Sequence, residues 1–421
     1  MQSSIKLRLT VMNFLQFAVW GAYLTSMGRY LGTAGFGSEI GNFYAMQGLV
    51  SLFMPALMGI VADRWIPAQR LLGVCHTLAG MLMLGVFLYT QTDAPSYPSL
   101  FALYSLSVAF YMPTLALSNS VAYTSLDQAG LDLVKSFPPI RVFGTVGFIC
   151  TMIAVSLLGL EATSGQFAVS AIISLVLAVY AQTLPNCPTA PKGQSKSLVE
   201  ALGLRAFVLF KQRKMALFFI FSMLLGVSLQ ITNGFANPFI STFGEIPAYA
   251  DTFGVKYANI LISLSQLSET LCILLIPFAL RRFGIRRVML IAMVAWVLRF
   301  ALLGLGNPGS GVWLFLLSMI VYGVAFDFFN VSGSLFVDKE TDPSIRSSAQ
   351  GLFMIMTNGI GATLGSLGAQ AVINRFVYSQ REATAILSGW TTSWYIFAGY
   401  AAVVAVLFAL LFRYNTATEA K

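Results

Sequence analysis

Two carboxyl groups lie where a carboxyl is costly. Of the 16 acidic residues nearly all fall in loops or at the ends of apolar runs, but Glu269 sits near the middle of one such run and Asp327 well inside another. A charge at the centre of a bilayer costs at least ~2.5 kcal/mol on insertion scales, so one that persists usually faces a cavity. One reading of the pair is structural, each acid joined to Arg299 of a neighbouring run or to a hydroxyl. The other is a proton site, a carboxyl that takes its proton from one side of a membrane and releases it to the other.

Carboxamides and rings recur at helical spacing around these acids. In SMLLGVSLQITNGFANPF, Gln230, Asn233 and Asn237 stand at i, i+3 and i+7, which is one helix face. In SLSQLSETL, Ser265, Gln266 and Glu269 share a face in the same way. Amides carry both donors and acceptors. A stripe of them against lipid is very unfavourable, so it points to a central cavity; the alternative is helix–helix hydrogen bonding, worth ~0.6 kcal/mol on average. NFLQFAVWGAY pairs Gln16 with Trp20, and YGVAFDFFN sets Tyr322 and Phe326 around the turn that carries Asp327. FPPIRVFGTVGF opens with Pro138 and Pro139, which lack N–H groups. It then presents Arg141, Thr145 and Phe148 at i, i+4 and i+7. Arg141 offers donors only, either to a cavity or, snorkelling, to the interface. Rings, amides and a carboxyl together suit a ligand with a flat face and several hydroxyls. They suit an ion or a lipid poorly.

The elements that must carry these residues are apolar. In 421 residues, 57% are hydrophobic and only 10% charged, with a mean hydropathy of +0.77. Soluble chains carry about 25% charged residues, whereas a bilayer asks for runs of ~20 apolar residues. The expected class is therefore an all-α integral membrane protein. Twelve spans are read, at roughly 5–31, 39–62, 70–91, 98–122, 137–160, 165–185, 213–243, 257–280, 286–306, 311–337, 347–375 and 389–412. The first run is too long for a signal peptide. The polar stretch 188–212 is expected to act as a cytoplasmic linker between six-helix bundles at 1–187 and 213–421.

With the N-terminus placed inside, the lysines and arginines collect on one side. Only Arg29, Lys256, Arg375 and Arg381 fall outside, with Arg141 and Arg299 within spans. This asymmetry puts both termini in the cytoplasm. The net charge of +9 thus reads as topology and not as affinity for nucleic acid. The four cysteines are not at metal or CxxC spacing and are expected to be free thiols. No P-loop, HExxH or Cys/His cluster is present, so neither cofactor nor metal is implied and an enzyme is not expected. His76, the only histidine, reads as a satisfied interfacial residue. Gly359, Gly361, Gly365 and Gly368 read as a packing face. The sequon Asn330-Val331-Ser332 lies inside a span and is discounted.

Six spans plus six about a cytoplasmic linker resembles the plan of the major facilitator superfamily. The stretch Gly59 to Arg64, with its Asp-Arg end, looks like a shortened form of that superfamily's loop signature. FPPIRVFGTVGF, SMLLGVSLQITN, SQLSETLCILLIPF, MVAWVLRFALLG and SMIVYGVAFDFFNVSGSLFV go further. They resemble the bacterial nucleoside–proton symporter family, broad nucleoside and xanthosine transporters, from about residue 5 to 412. The resemblance implies proton-driven nucleoside uptake across the bacterial inner membrane by a multi-pass chain, with a monomer expected. It implies that Arg141, Thr145, Phe148, Gln230, Asn233, Gln266, Glu269, Tyr322, Phe326 and Asp327 hold the nucleoside. The four amides and acids among Gln230, Asn233, Gln266 and Glu269 would bond ribose and base edge. Phe148, Tyr322 and Phe326 would pack on the base, and Glu269 or Asp327 would carry the proton. A proton-coupled carrier of another polyhydroxylated solute, such as a sugar, and an uncoupled nucleoside facilitator stay open. A receptor would bind without flux.

Overall fold

The computed structural model describes residues 2–189, 204–343 and 345–414, and every regular element among them is a helix. The first are α1 (Gln2–Gly21), α2 (Met27–Thr33), α3 (Ile40–Ser51) and α4 (Met54–Arg64). Next come α5 (Ala68–Tyr89), α6 (Tyr97–Gln128), α7 (Leu133–Leu157) and α8 (Gly165–Ala181). Beyond the polar stretch run α9 (Arg213–Thr242), the single turn α10 (Phe253–Lys256), α11 (Ala258–Leu305) and α12 (Val312–Glu340). The last are α13 (Arg346–Met354), α14 (Ala362–Phe376) and α15 (Ala383–Leu411). Of the expected linker 188–212, residues 190–203 lie outside the described residues.

Nine of the described helical segments are long and apolar enough to cross a membrane. One of them, α11, has 48 residues. At 1.5 Å per residue it would reach about 72 Å, over twice the ~30 Å hydrocarbon core, so it must turn back. It does so at Gly284, whose φ of 74° and ψ of 164° are outside the helical region. The runs read at 257–280 and 286–306 are thus the two arms of α11. The first run departs from expectation, since turns at 22–26 separate α1 from α2. The second breaks at Leu52 and Phe53, where Pro55 in the first turn of α4 ends the helix before it.

The outward faces are ridges of apolar side chains. On α11, Leu271, Leu274, Leu275 and Phe278 are exposed at i, i+3, i+4 and i+7, and on α15 Val403, Val406, Leu407 and Leu410 repeat the pattern. Monomers in water rarely carry such continuous apolar surface. A hydrocarbon solvent accepts it.

The chain separates into two compact units, Met1–Tyr30 with Leu49–Leu202, and Leu31–Gly48 with Gly203–Lys421. In the first, α1 lies directly on α7. A Cβ added to Gly21 would stand 2.4 Å from the Phe148 carbonyl oxygen, and one added to Gly147 would stand 2.1 Å from that of Phe14. Leu72, Val121, Leu126 and Leu177 fill the core beside them.

In the second unit α9 touches the seven π-helical residues Ile355–Gly361 and α14 through glycine. Cβ atoms on Gly361 and Gly365 would meet the carbonyl oxygens of Met223 and Val227 at 2.4 Å. Gly368 faces open space, so the packing face is shorter than its glycines suggest. The early segment Leu31–Gly48 is held here too. Gln370 of α14 accepts from the Gly41 backbone N–H at 2.5 Å and donates to the Gly37 carbonyl at 3.0 Å. Phe218, Phe336 and Phe353 make one aromatic core, and Phe239, Trp390 and Trp394 another.

Candidate functional site

The sequence-derived site residues divide between the units: Arg141, Thr145 and Phe148 lie in the first and the other seven in the second. In the first unit all three are on α7. The Arg141 guanidinium stands over the Phe17 ring, 4.0 Å from its centroid. Thr145 is half-buried. Phe148 meets Trp20 edge-on at 6.4 Å, and Trp20 also leans on Tyr111 at 6.1 Å.

Behind these rings runs a buried polar chain. Gln16 Nε2 donates to Thr114 Oγ1 at 2.7 Å, and Gln16 Oε1 lies 2.9 Å from His76 Nε2. His76 Nδ1 is 2.9 Å from Ser174 Oγ. With Gln16 oriented this way, the His76 Nε2–H donates to Gln16 Oε1, while the Ser174 hydroxyl beside Nδ1 donates to the His76 carbonyl at 3.0 Å. The Tyr111 hydroxyl donates to the Gln16 carbonyl at 2.9 Å. His76 is satisfied, as expected, and it is fully buried, with Gln16, Tyr111 and Ser174 meeting it from three other helices.

In the second unit the rings of Tyr322 and Phe326, one helical turn apart on α12, are stacked at 5.7 Å with only 4° between their planes. Trp296 meets Tyr322 edge-on at 6.0 Å. Arg299 closes the other approach, its guanidinium 4.6 Å from the Tyr322 centroid. Arg299 is buried and donates through Nη1 to the Ser318 carbonyl at 2.8 Å and to Ser265 Oγ at 3.4 Å. Among the described residues no carboxylate pairs with it. The pairing of Arg299 with an acid is therefore replaced by a clamp on Tyr322, since α12 offers a ring and a carbonyl where the charge lies.

Asp327 is buried, and its Oδ2 has no hydrogen-bond partner among the described residues. Glu269, half-buried on the first arm of α11, is close enough to interact electrostatically with it and with Tyr322. Gln266 lies within hydrogen-bonding reach of the Tyr322 hydroxyl. On α9, Asn233 Nδ2 donates to Gln230 Oε1 at 3.0 Å, so these amides are neighbours on one face. Asn237, further along that face, is fully buried and donates to Asn259 Oδ1 at 2.8 Å. It joins α9 to α11, which is the helix–helix role weighed for it above.

A recess opens beside this group within the same unit. Leu225, Gly226 and Leu229 of α9 and Trp296 of α11 form part of its lining. Phe326 and Asn330 of α12, with Thr357 and Asn358 of the π-helical turns, complete it. Of these only Phe326 was among the candidates. Asn330 stands one turn after Phe326, a spacing that marks it, although it drew notice only as part of a sequon. Trp296, Thr357 and Asn358 carried no polar periodicity of their own. Neither carboxyl lines the recess, which among the described residues touches the acid-and-ring group only through Phe326 and Trp296.

A profile described as nucleoside H+ symporter matches residues 3–417. The chain is 49% identical over 415 residues to the xanthosine permease of Escherichia coli (strain K12), covering 98% of this chain and 97% of that protein. It is 47% identical over the same length to the nucleoside permease NupG of Escherichia coli (strain K12), with the same coverage. A crystal structure of the nucleoside transporter NupG superposes with a TM-score of 0.89 at 46% identity, over 98% of this chain and all of that one.

Proposed function

The chain belongs to the nucleoside H+ symporter family, and from that premise we propose that it imports nucleosides with protons across a bacterial inner membrane. The observation that carries the reading is the stacked Tyr322–Phe326 pair set beside Asp327 and Glu269. A flat base can lie against the rings, and Gln230, Asn233 and Gln266 offer the donors and acceptors that ribose and base require. The family resemblance implies that Arg141, Thr145 and Phe148 also bind the nucleoside. One of the two acids takes up the proton and gives it back on the inner side.

Twelve spans in two six-helix halves, at 1–187 and 213–421 about the linker 188–212, complete the reading, with both termini cytoplasmic and a monomer as the working unit. Transport proceeds by alternating access. The distribution of lysine and arginine supports the orientation.

Uptake of labelled uridine and adenosine into vesicles holding the purified protein tests this, with and without an inward proton gradient. Accumulation that a protonophore abolishes is expected. Equilibration without accumulation would leave a facilitator, and competition by sugars but not by nucleosides would leave another substrate class.

A further inference from the structure

One strip of the second unit, both apolar and basic, takes no part in the roles assigned so far. Residues Leu204–Lys211, just before α9, form a 3-10 helical segment that reads LRAFVLFK. At three residues per turn its side chains stand in three columns. One column faces inward: Ala206 and Leu209 are buried where the segment packs against α9 and α13. A second carries Phe207 and Phe210, stacked at 5.8 Å, with Phe210 leaning on Phe219 of α9 at 5.5 Å. The third is Arg205, Val208 and Lys211, all exposed.

The outer face is thus fixed from behind and open in front. Phe207 stays 44% exposed and Val208 51%, side by side. A cation stands at each end of the Val208 column, about 12 Å apart along the axis at ~2 Å of rise per residue. Gln212 is extended, at φ −92° and ψ 114°, so the segment is not a continuation of α9. Arg213, the first residue of α9, is exposed as well. Among the described residues Lys211 and Arg213 make no ion pair. Their neighbour Lys214 differs, for it pairs with Glu340 and lies 5.3 Å from the centroid of the Tyr414 ring.

Depth adds to this. The helix that begins at Arg213 is long and apolar enough to cross a membrane, so the segment lies where the hydrocarbon ends. Isolated apolar side chains on a surface need no explanation. A ring and a valine bracketed by cations fit neither water nor hydrocarbon. They fit the boundary between the two, where apolar groups enter the acyl edge and the stems of lysine and arginine reach out to the headgroups.

We propose that Leu204–Lys211 is a docking surface for anionic phospholipid headgroups. Phe207 and Val208 sit at the edge of the acyl layer, and Arg205, Lys211 and Arg213 meet the phosphates. The segment then fixes the height at which the chain enters α9. Its preference for anionic lipid is electrostatic, about fivefold for each cation at the surface, and salt weakens it. Such docking needs only an anionic surface on the side where the segment lies, and no nucleoside.

The test uses the full-length protein with the exposed Cys150 replaced by Ala and with Val208→Cys carrying an environment-sensitive fluorophore. It is placed in vesicles of phosphatidylcholine, alone or mixed with phosphatidylglycerol, whose acyl chains carry bromine near the headgroup as a quencher. Quenching is expected to be stronger in the mixed vesicles, and to fall toward the phosphatidylcholine level as salt is raised. Lys211→Gln together with Arg213→Gln should lower the ratio of docked to free segment in mixed vesicles by about fivefold for each cation removed, with little change in phosphatidylcholine alone. Equal quenching in the two kinds of vesicle, or quenching that survives the loss of both cations, would overturn the assignment. So would an absence of quenching in both, which would mean that the strip faces water or is covered by protein. Where the glutamine variant does not fold, the lipid and salt comparisons on the unaltered charges decide by themselves.

Discussion

At the scale of residues, Asp327 and Arg299 make different demands. Replacing Asp327 by Asn removes a proton carrier while keeping size and hydrogen-bonding capacity. The variant is expected to bind uridine and to equilibrate it, yet to fail to accumulate it against a gradient; full accumulation would end the proton role of Asp327. Arg299 acts through the ring it covers. Arg299→Met keeps the apolar stem and loses the cation that steadies Tyr322. A buried cation–π contact is worth about 2 kcal/mol, so the apparent KM for uridine should rise by up to roughly thirtyfold, at about 1.4 kcal/mol per factor of ten, with a smaller change in maximal rate. The acids were legible in the sequence because a carboxyl in an apolar run is conspicuous by its cost. Asn330, Asn358 and Trp296 were not, because an isolated amide or indole in a span looks the same whether it faces a recess, a neighbouring helix or lipid. Only the packing of α9, α11, α12 and the π-helical turns brings them to one place.

Among the elements, the helices were largely readable and their interruptions were not. Runs of apolar residues mark spans whatever their partners, and α5, α6, α9 and α12 lie close to where the hydropathy puts them. The π-helical turns have no such signature, since one extra residue per turn changes neither composition nor hydropathy. The reversal within α11 depends on Gly284, in a backbone region essentially closed to other residues. Gly284→Ala should cost about 1–3 kcal/mol and lower the midpoint of thermal unfolding in detergent. By contrast Gly130, whose φ of 66° is in the ordinary left-handed region, should accept Asn with little loss. Gly365→Ala sets a methyl 2.4 Å from the Val227 carbonyl oxygen. Forcing α9 and α14 apart should cost about 1–3 kcal/mol, read by the same measurement, and an unchanged midpoint would show that the contact is looser than its distances.

On the scale of the whole molecule, the placement of basic residues makes a claim about direction. A cysteine at Ser379 should react with a membrane-impermeant thiol reagent added to intact cells, and one at Asp127 should react only after lysis; both positions are exposed in the fold. Reversed labelling would invert the topology and with it the direction of import. Charge decoration elsewhere matters less. Lys256 pairs with Asp251 at 2.9 Å and holds that carboxyl below the usual carboxylate range, but both groups are on the surface, where such pairs contribute little.

The hold of Gln370 on Gly41 spans 329 positions of chain, and that separation has a meaning for biosynthesis. At about 5–20 residues per second, a ribosome needs roughly 16–66 seconds to make the distance between them. Throughout that interval the partner helix of the segment Leu31–Gly48 is not yet made. The second unit cannot be finished from its own stretch of message. Any truncated or split version of the gene that withholds residues 31–48 would produce a C-terminal piece lacking a part it expects to receive from the beginning of translation.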